Sequence, residues 1–347
     1  ILNGTGLQTV NFQGTESKFN ILEINNNSND GVKFTSSLNA TKYIGNGCKV
    51  SFPNGETTGW QLTKDETYDG DLYLGAGTLD LNGHKLTING NLIQSVGTVF
   101  VNGGQLDITG DYRIQSAVKG TNGAVTYGNS SGILKMTNEA DYVKVGGSFI
   151  TQSVTSHDNM LTAGTLEDKG DFTQKNSSDY NFMSKGTHKV LLSGNKKQTV
   201  NFEYGNNLNY SHLNNLEITN TSSEGVNFAK IVYVTNELKN ENTPIINSKN
   251  IYLASTGIIA DNHWKYDLTL NDNYKLLNDT IIDGNLYISN YSATFDLNGK
   301  SLTVNGKMVL GDGKFDVNKG QLIVGKDLRI QREQISSDGT VSYSLGY

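Results

Sequence analysis

The chain has 347 residues and a formal net charge of −6, with 18% charged and 35% hydrophobic residues. An acidic balance disfavours a nucleic-acid partner, which requires a basic face, and no apolar run approaches the ~20 residues of a membrane helix. With 39 Gly and 2 Pro, the composition is not that of a charge-rich, Pro-rich linker; it suits many short strands joined by tight turns that Gly and Asn tolerate.

In chain order, Ile1 already lies in a strand-like run, and no signal peptide is expected there. Gln8-Thr9-Val10-Asn11-Phe12 comes next, then Leu22-Glu23-Ile24 and Gly31-Val32-Lys33-Phe34. Cys48 is the single cysteine and closes no intrachain disulfide. It reads as a small buried apolar residue, since no histidine motif accompanies it. A polar stretch, residues 54–59, leads to Trp60.

From residue 70 a twenty-residue code begins. Gly70-Asp71-Leu72, Gly90-Asn91-Leu92 and Gly110-Asp111-Tyr112 open successive units. The first holds apolar pairs at Leu72/Leu74, Leu79/Leu81 and Leu86/Ile88. The second repeats them as Leu92/Gln94, Val99/Val101 and Leu106/Ile108, with Gln94 the one polar exception. Spacing of i and i+2 marks one face of a strand. Turn residues such as Asn82-Gly83 and Asn89-Gly90 separate the pairs. Three short strands and three corners per coil of about 20–25 residues predict an all-β, right-handed parallel β-helix. Asn-Gly between strands is also a hairpin signal, and a hairpin-built sandwich is the competing fold.

The second half repeats the first. Gln198-Thr199-Val200-Asn201-Phe202, Leu216-Glu217-Ile218 and Gly225-Val226-Asn227-Phe228 copy the early runs, and Trp264 follows another polar stretch. An insertion around Asn271-Asp272-Asn273-Tyr274 is expected in a corner loop. Asp296-Leu297-Asn298-Gly299 and Arg329-Ile330-Gln331 repeat Asp80-Leu81-Asn82-Gly83 and Arg113-Ile114-Gln115. Leu286, Ile288, Phe295, Leu297, Leu302 and Val304, then Met308, Leu310, Phe315, Val317, Leu322 and Val324, predict the best-specified core. Leu328 and Ile330 open another coil, and Val341–Ser344 reads as a last strand run. The predicted organisation is a first repeat unit over residues 1–190 and a second, incomplete one over 191–347 of one continuous solenoid. Both ends are expected to be cut from a longer stack, whose neighbouring units or other copies are the expected partners.

Residues 78–90, Thr-Leu-Asp-Leu-Asn-Gly-His-Lys-Leu-Thr-Ile-Asn-Gly, and their partner over 294–306 resemble coils of secreted bacterial β-helix proteins. The stretch Gly186-Thr187-His188-Lys189-Val190-Leu191-Leu192-Ser193-Gly194 is similar to segments of large repetitive surface proteins of Gram-positive anaerobes such as clostridia. The resemblance implies an extracellular or cell-surface setting and an adhesin-like architecture. It carries over no catalytic residue. β-helical polysaccharide lyases share the same look.

Chemistry is sparse. No HExxH, CxxC, P-loop or GxSxG pattern occurs. His84, His157, His188, His212 and His263 lack metal-ligand spacing and are expected on exposed corners or strand faces. Asp80 and Asp296 lie beside inward leucines and so face outward, while Asp69 and Asp71 flank Gly70 and Asp283 precedes Gly284; all five are expected as turn formers and solvated faces. They are also the residue type that a carbohydrate enzyme uses for acid/base work or that Ca2+ would occupy, although the nonapeptide calcium repeat is absent. Neither metal nor cofactor is expected. Trp60 and Trp264 occupy comparable places in the two copies and are the candidate glycan contacts, since an exposed indole stacks on a sugar ring; gap-filling under a loop is the favoured role. The leading expectation is a non-catalytic structural or adhesive rod with weak glycan binding. The alternatives are a carbohydrate-active β-helix, lyase or hydrolase, and a spacer presenting a toxin or binding head.

Overall fold

Apolar residues two apart, bracketed by residues that accept left-handed backbone, force short strands to turn every few positions. The computed structural model describes residues 1–347 except 14–18, 36–39, 45–49, 52–59, 63, 75–77, 120–124, 206, 241–242, 255–257, 260–262, 291–292, 336–339 and 345–347. Cys48 lies outside the described residues. The fold is a parallel β-solenoid, and its only helix among the described residues is the single turn Ser248–Asn250. Two compact units, Ile1–Gly194 and Asn195–Tyr347, make up the chain.

In the first unit, Leu72–Leu74, Thr78–Asp80 and Lys85–Asn89 form one coil, and Leu92–Gln94, Thr98–Phe100 and Gln105–Ile108 form the next. Each strand pairs in parallel with its copy: Leu72 with Leu92, Leu79 with Val99, Leu86 with Leu106. Asn82 and Gly83 adopt φ of 48° and 77°, a geometry that could close a hairpin. The strands on either side belong to different sheets, so Asn-Gly is a coil corner and the sandwich alternative fails. All six inward positions of both coils are buried, Gln94 included. Each fully buried Leu or Ile there contributes roughly 1.5–3 kcal/mol of transfer free energy.

Gln94 is accommodated because its polar atoms are paired. Its Nε2 donates to the carbonyls of Gly97 and Ile133 at 2.8 and 3.0 Å, and its Oε1 accepts from the Tyr112 hydroxyl at 2.6 Å. Further along the unit the interior turns more polar. Gln174 Nε2 donates to Asn181 Oδ1 at 2.7 Å, and Asn181 Nδ2 donates to the Ser153 carbonyl at 3.1 Å. Beside them Leu92, Tyr112, Phe149 and Phe172 continue the apolar column, with the two Phe rings 5.0 Å apart.

The second unit repeats the plan. Leu286–Ile288, Thr294–Asp296 and Ser301–Val304 stack under Met308–Leu310, Lys314–Asp316 and Gln321–Val324. The core expectation holds for Leu286 through Val304, all buried. It does not hold at the outermost coil: Val317, Leu328 and Ile330 are 45%, 52% and 71% exposed, because their strands are the last in their sheets among the described residues.

The duplication extends to individual hydrogen bonds. Asn26 and Asn220, both buried, donate through Nδ2 to Gln8 and Gln198 Oε1. Their Oδ1 atoms accept from the backbone N–H of Ser28 and Ser222, and Gly31 and Gly225 share a φ of 66°. Among the described residues parallel pairing is broken twice, each time by an antiparallel hairpin: Ser116–Lys119 with Val125–Gly128, and Arg332–Ile335 with Val341–Ser344.

Candidate functional site: a repeated hairpin

Of the two tryptophan side chains the structure describes only that of Trp264. Trp264 is 1% exposed, and its Nε1 donates to the Asp267 carbonyl at 3.3 Å. A ring in that position fills the core and offers no face to a sugar. The side chain of Trp60 lies outside the described residues. Its backbone pairs with Leu79, whereas Trp264 pairs with Ile282 and, one coil on, Val304. Leu79 and Val304 lie in different strands of the repeated coil, so the two tryptophans are not equivalent, contrary to expectation.

The carboxylates singled out by their outward positions are engaged in building corners. Asp80 Oδ1 accepts from the Asn82 N–H at 2.9 Å and from Asn102 Nδ2 at 3.0 Å. Asp296 Oδ1 accepts from the Asn298 N–H at 2.7 Å and Asn318 Nδ2 at 3.0 Å, bonds that hold its carboxyl below the usual value. Asp71 Oδ1 accepts from the Asn91 N–H, and Asn91 Oδ1 from the Asp111 N–H, at 2.8 and 2.7 Å. Asp283 accepts from Asn305 and contacts His263 Nε2, each lowering its pKa. Nothing is described of the Asp69 side chain. Among the described residues no group of three or more His, Cys, Asp or Glu could hold a metal ion.

Histidine placement departs from expectation. His157, His188 and His212 are buried; only His84 and His263 keep substantial exposure. His157 Nε2 accepts from the Leu134 N–H at 3.1 Å, and His188 Nδ1 lies 2.8 Å from Ser184 Oγ. On the outer face of the same unit, Glu167 accepts from the hydroxyls of Tyr142 and Ser193. Partial burial raises its pKa, but those hydrogen bonds with Lys169 and Lys144 outweigh this, and the net shift is downward. Such a carboxylate stays ionised near neutrality and is poorly suited to donate a proton.

What recurs is a hairpin. Equivalent residues of neighbouring coils lie 20 apart at Asp71–Asn91 but 37 apart at Asp111–Ser148. The enlarged coil carries the hairpin of Ser116–Lys119 and Val125–Gly128, with Ala117 opposite Tyr127. In the second unit Glu333 faces Tyr343 in the other hairpin. Every pair in one register lies 216 residues from its counterpart in the other.

Three side chains are common to both. Arg113 donates to Asp111 Oδ2 at 2.7 Å, and its guanidinium carbon lies 4.5 Å from the Tyr127 ring centroid. Arg329 donates to Asp327 Oδ2 at 2.9 Å and lies 4.2 Å from the Tyr343 ring. An exposed cation–π contact of this kind contributes about 0.5–1 kcal/mol. Tyr127 and Tyr343 remain 41% and 36% exposed, and Val125 and Val341, two positions away on the same strand face, 39% and 44%.

The anchors beneath the hairpins differ. In the second, Arg332 forms a bidentate pair with Asp312 at 2.9 Å, and Lys307 holds Glu333 at 2.6 Å. In the first, Gln115 donates to Gln152 at 2.7 Å. The Asp–Arg–Tyr trio therefore persists across two different attachments. Its signal was present in the sequence, as Val125-Thr126-Tyr127 and Val341-Ser342-Tyr343 at the spacing already shown by Arg113 and Arg329. Val341–Ser344, expected as a last strand run, is instead the second strand of a hairpin. No protein-family model matches the chain, and no curated protein or solved structure matches it.

Proposed function

We propose that this chain is a non-catalytic structural and adhesive segment of a larger bacterial extracellular or cell-surface protein, with neighbouring units, other copies and glycans as partners. The observation that carries the reading is the recurrence of one surface hairpin, in one register and with one trio of side chains, on both units. A solenoid separates the scaffold from what it displays, because its coils need only the inward residues and the corners. The outward carboxylates Asp80 and Asp296 serve those corners. Exposed Leu328 and Ile330 suit contact with a further coil or another copy.

The test is exposure of purified protein to a panel of neutral and acidic polysaccharides, with bound protein, reducing ends and unsaturated sugar all measured. Adhesion predicts retention without chain shortening. Reducing ends or unsaturated products that vanish on Asp80→Asn, Asp296→Asn or Glu167→Gln substitution would establish the carbohydrate-enzyme alternative instead.

A further inference from the structure

We infer that each hairpin site, Asp111–Arg113–Tyr127 and Asp327–Arg329–Tyr343, binds a sugar residue of an uncharged polysaccharide. The inference rests on the adhesive reading and assigns its ligand class and residues. A pyranose presents C–H groups on its faces and hydroxyls around its rim. It therefore needs an open aromatic ring beside fixed donors and acceptors. Both sites supply this combination. The tyrosine ring is partly open, and the guanidinium at 4.5 or 4.2 Å steadies it. The aspartate pins the arginine plane, leaving polar edges of both groups at the surface: Arg113 and Asp111 are 25% and 28% exposed, Arg329 and Asp327 34% and 64%.

Charge selects between polymers. Each arginine is already neutralised by its aspartate, and the chain carries −6 overall. An acidic glycan would meet an arginine already paired and a repulsive background. Size selects against a protein partner. One tyrosine and one valine per hairpin fall far short of the ~800 Å² per side of a standard protein interface, but match one or two sugar rings. Two sites with the same trio on one chain suit a ligand that is itself a repeat, where weak contacts gain from multiplicity.

The experiment uses the full chain in affinity electrophoresis through gels containing a soluble β-glucan, a glucomannan or polygalacturonate. Wild type is expected to be retarded by a neutral polymer and not by polygalacturonate. Tyr127→Ala and Tyr343→Ala should each weaken retardation about fivefold, the worth of one aromatic contact, and the double variant should abolish it. Tyr127→Phe with Tyr343→Phe keeps the rings and should retain most binding. Circular dichroism confirms the fold of each variant, and a misfolded Ala variant is replaced by Arg113→Lys with Arg329→Lys, which removes the planar fork and is expected to weaken binding similarly. Undiminished binding by the folded double variants, no retardation by any neutral polymer, or binding confined to polygalacturonate would overturn the assignment. Shortening of the polymer would instead overturn the non-catalytic reading, while leaving a tyrosine-dependent retention intact.

Discussion

His157 and His188 show what the solenoid demands of a single side chain. Both are fully buried, and burial pulls their imidazoles down to about 4 and about 3. An unfolded histidine titrates near ~6.5, so between these values the unfolded chain binds more protons than the folded one. Stability contributed by each is present above ~6.5 and lost as pH falls toward the folded value, by up to about 1.4 kcal/mol per pH unit per group. Thermal melts between pH 7 and 4 should show a falling midpoint, flattened in a His157→Gln, His188→Gln double variant; equal slopes would refute this origin. Asp168 acts in the opposite sense. Burial raises its pKa despite hydrogen bonds from Gly170 and Phe149, so its penalty grows as pH rises above the unfolded value of ~3.9. Asp168→Asn should raise the melting midpoint at pH 7 and leave it unchanged at pH 3. None of these groups was legible from periodicity. Alternation fixes which way a residue points, but not whether a polar one finds a partner inside, as Gln94 and Asn181 do.

At the scale of the element, corners are set by close backbone approach. A Cβ on Gly90 would lie 2.3 Å from the Gly70 carbonyl oxygen, and one on Gly306 equally close to that of Gly284. Neither neighbour can yield, since each is the backbone of the adjoining coil. Gly90→Ala and Gly306→Ala should each cost about 2 kcal/mol or more in denaturant melts. Gly83→Ala meets open space and only the strain of φ 77°, about 1–2 kcal/mol. A similar cost at all three would remove coil-to-coil contact as the cause. The hairpin behaves differently, because it is an excursion from a coil whose neighbours are complete without it. Replacing residues 116–128 by a short Gly-Ser turn should leave the far-ultraviolet spectrum β-rich and the melting midpoint within a few degrees; loss of folding would make the hairpin part of the core. Coil strands were legible because their apolar pairs recur every 20 residues. The hairpins were not, because Asn-Gly signals mark corners here, and the short paired runs Val125–Gly128 and Val341–Ser344 carry the same alternation as a coil strand.

Across the whole molecule, stability is a sum of neighbour contacts along each stack and not the property of one central core. The copied Asn26 and Asn220 networks and the two matching hairpins make the duplication visible in three dimensions as in sequence. The fate of the core at the outer coil was not legible, because a sequence pattern marks inward positions without showing whether another layer covers them. Leu302 and Leu322 pair in register and share the same pattern, yet Leu302 is fully buried and Leu322 only half-buried. Leu302→Ala removes contacts from a layer packed on both sides by the strands of Thr280–Ile282 and Gln321–Val324, and should cost about 2–5 kcal/mol. Leu322→Ala empties a site open on one side, where relaxation and water limit the loss to about 1 kcal/mol. Hydrogen exchange should follow the same order. Amides of Leu286–Ile288 and Ser301–Val304 should exchange only on extensive unfolding, while those of Gln321–Val324 and Leu328–Arg329 exchange by fraying. Leu322→Ala should then quicken exchange in the outer coil alone, whereas Leu302→Ala should quicken it throughout the coils around it. Uniform protection across these strands, or equal destabilisation by the two substitutions, would show that the unit unfolds as a single cooperative block instead of a stack.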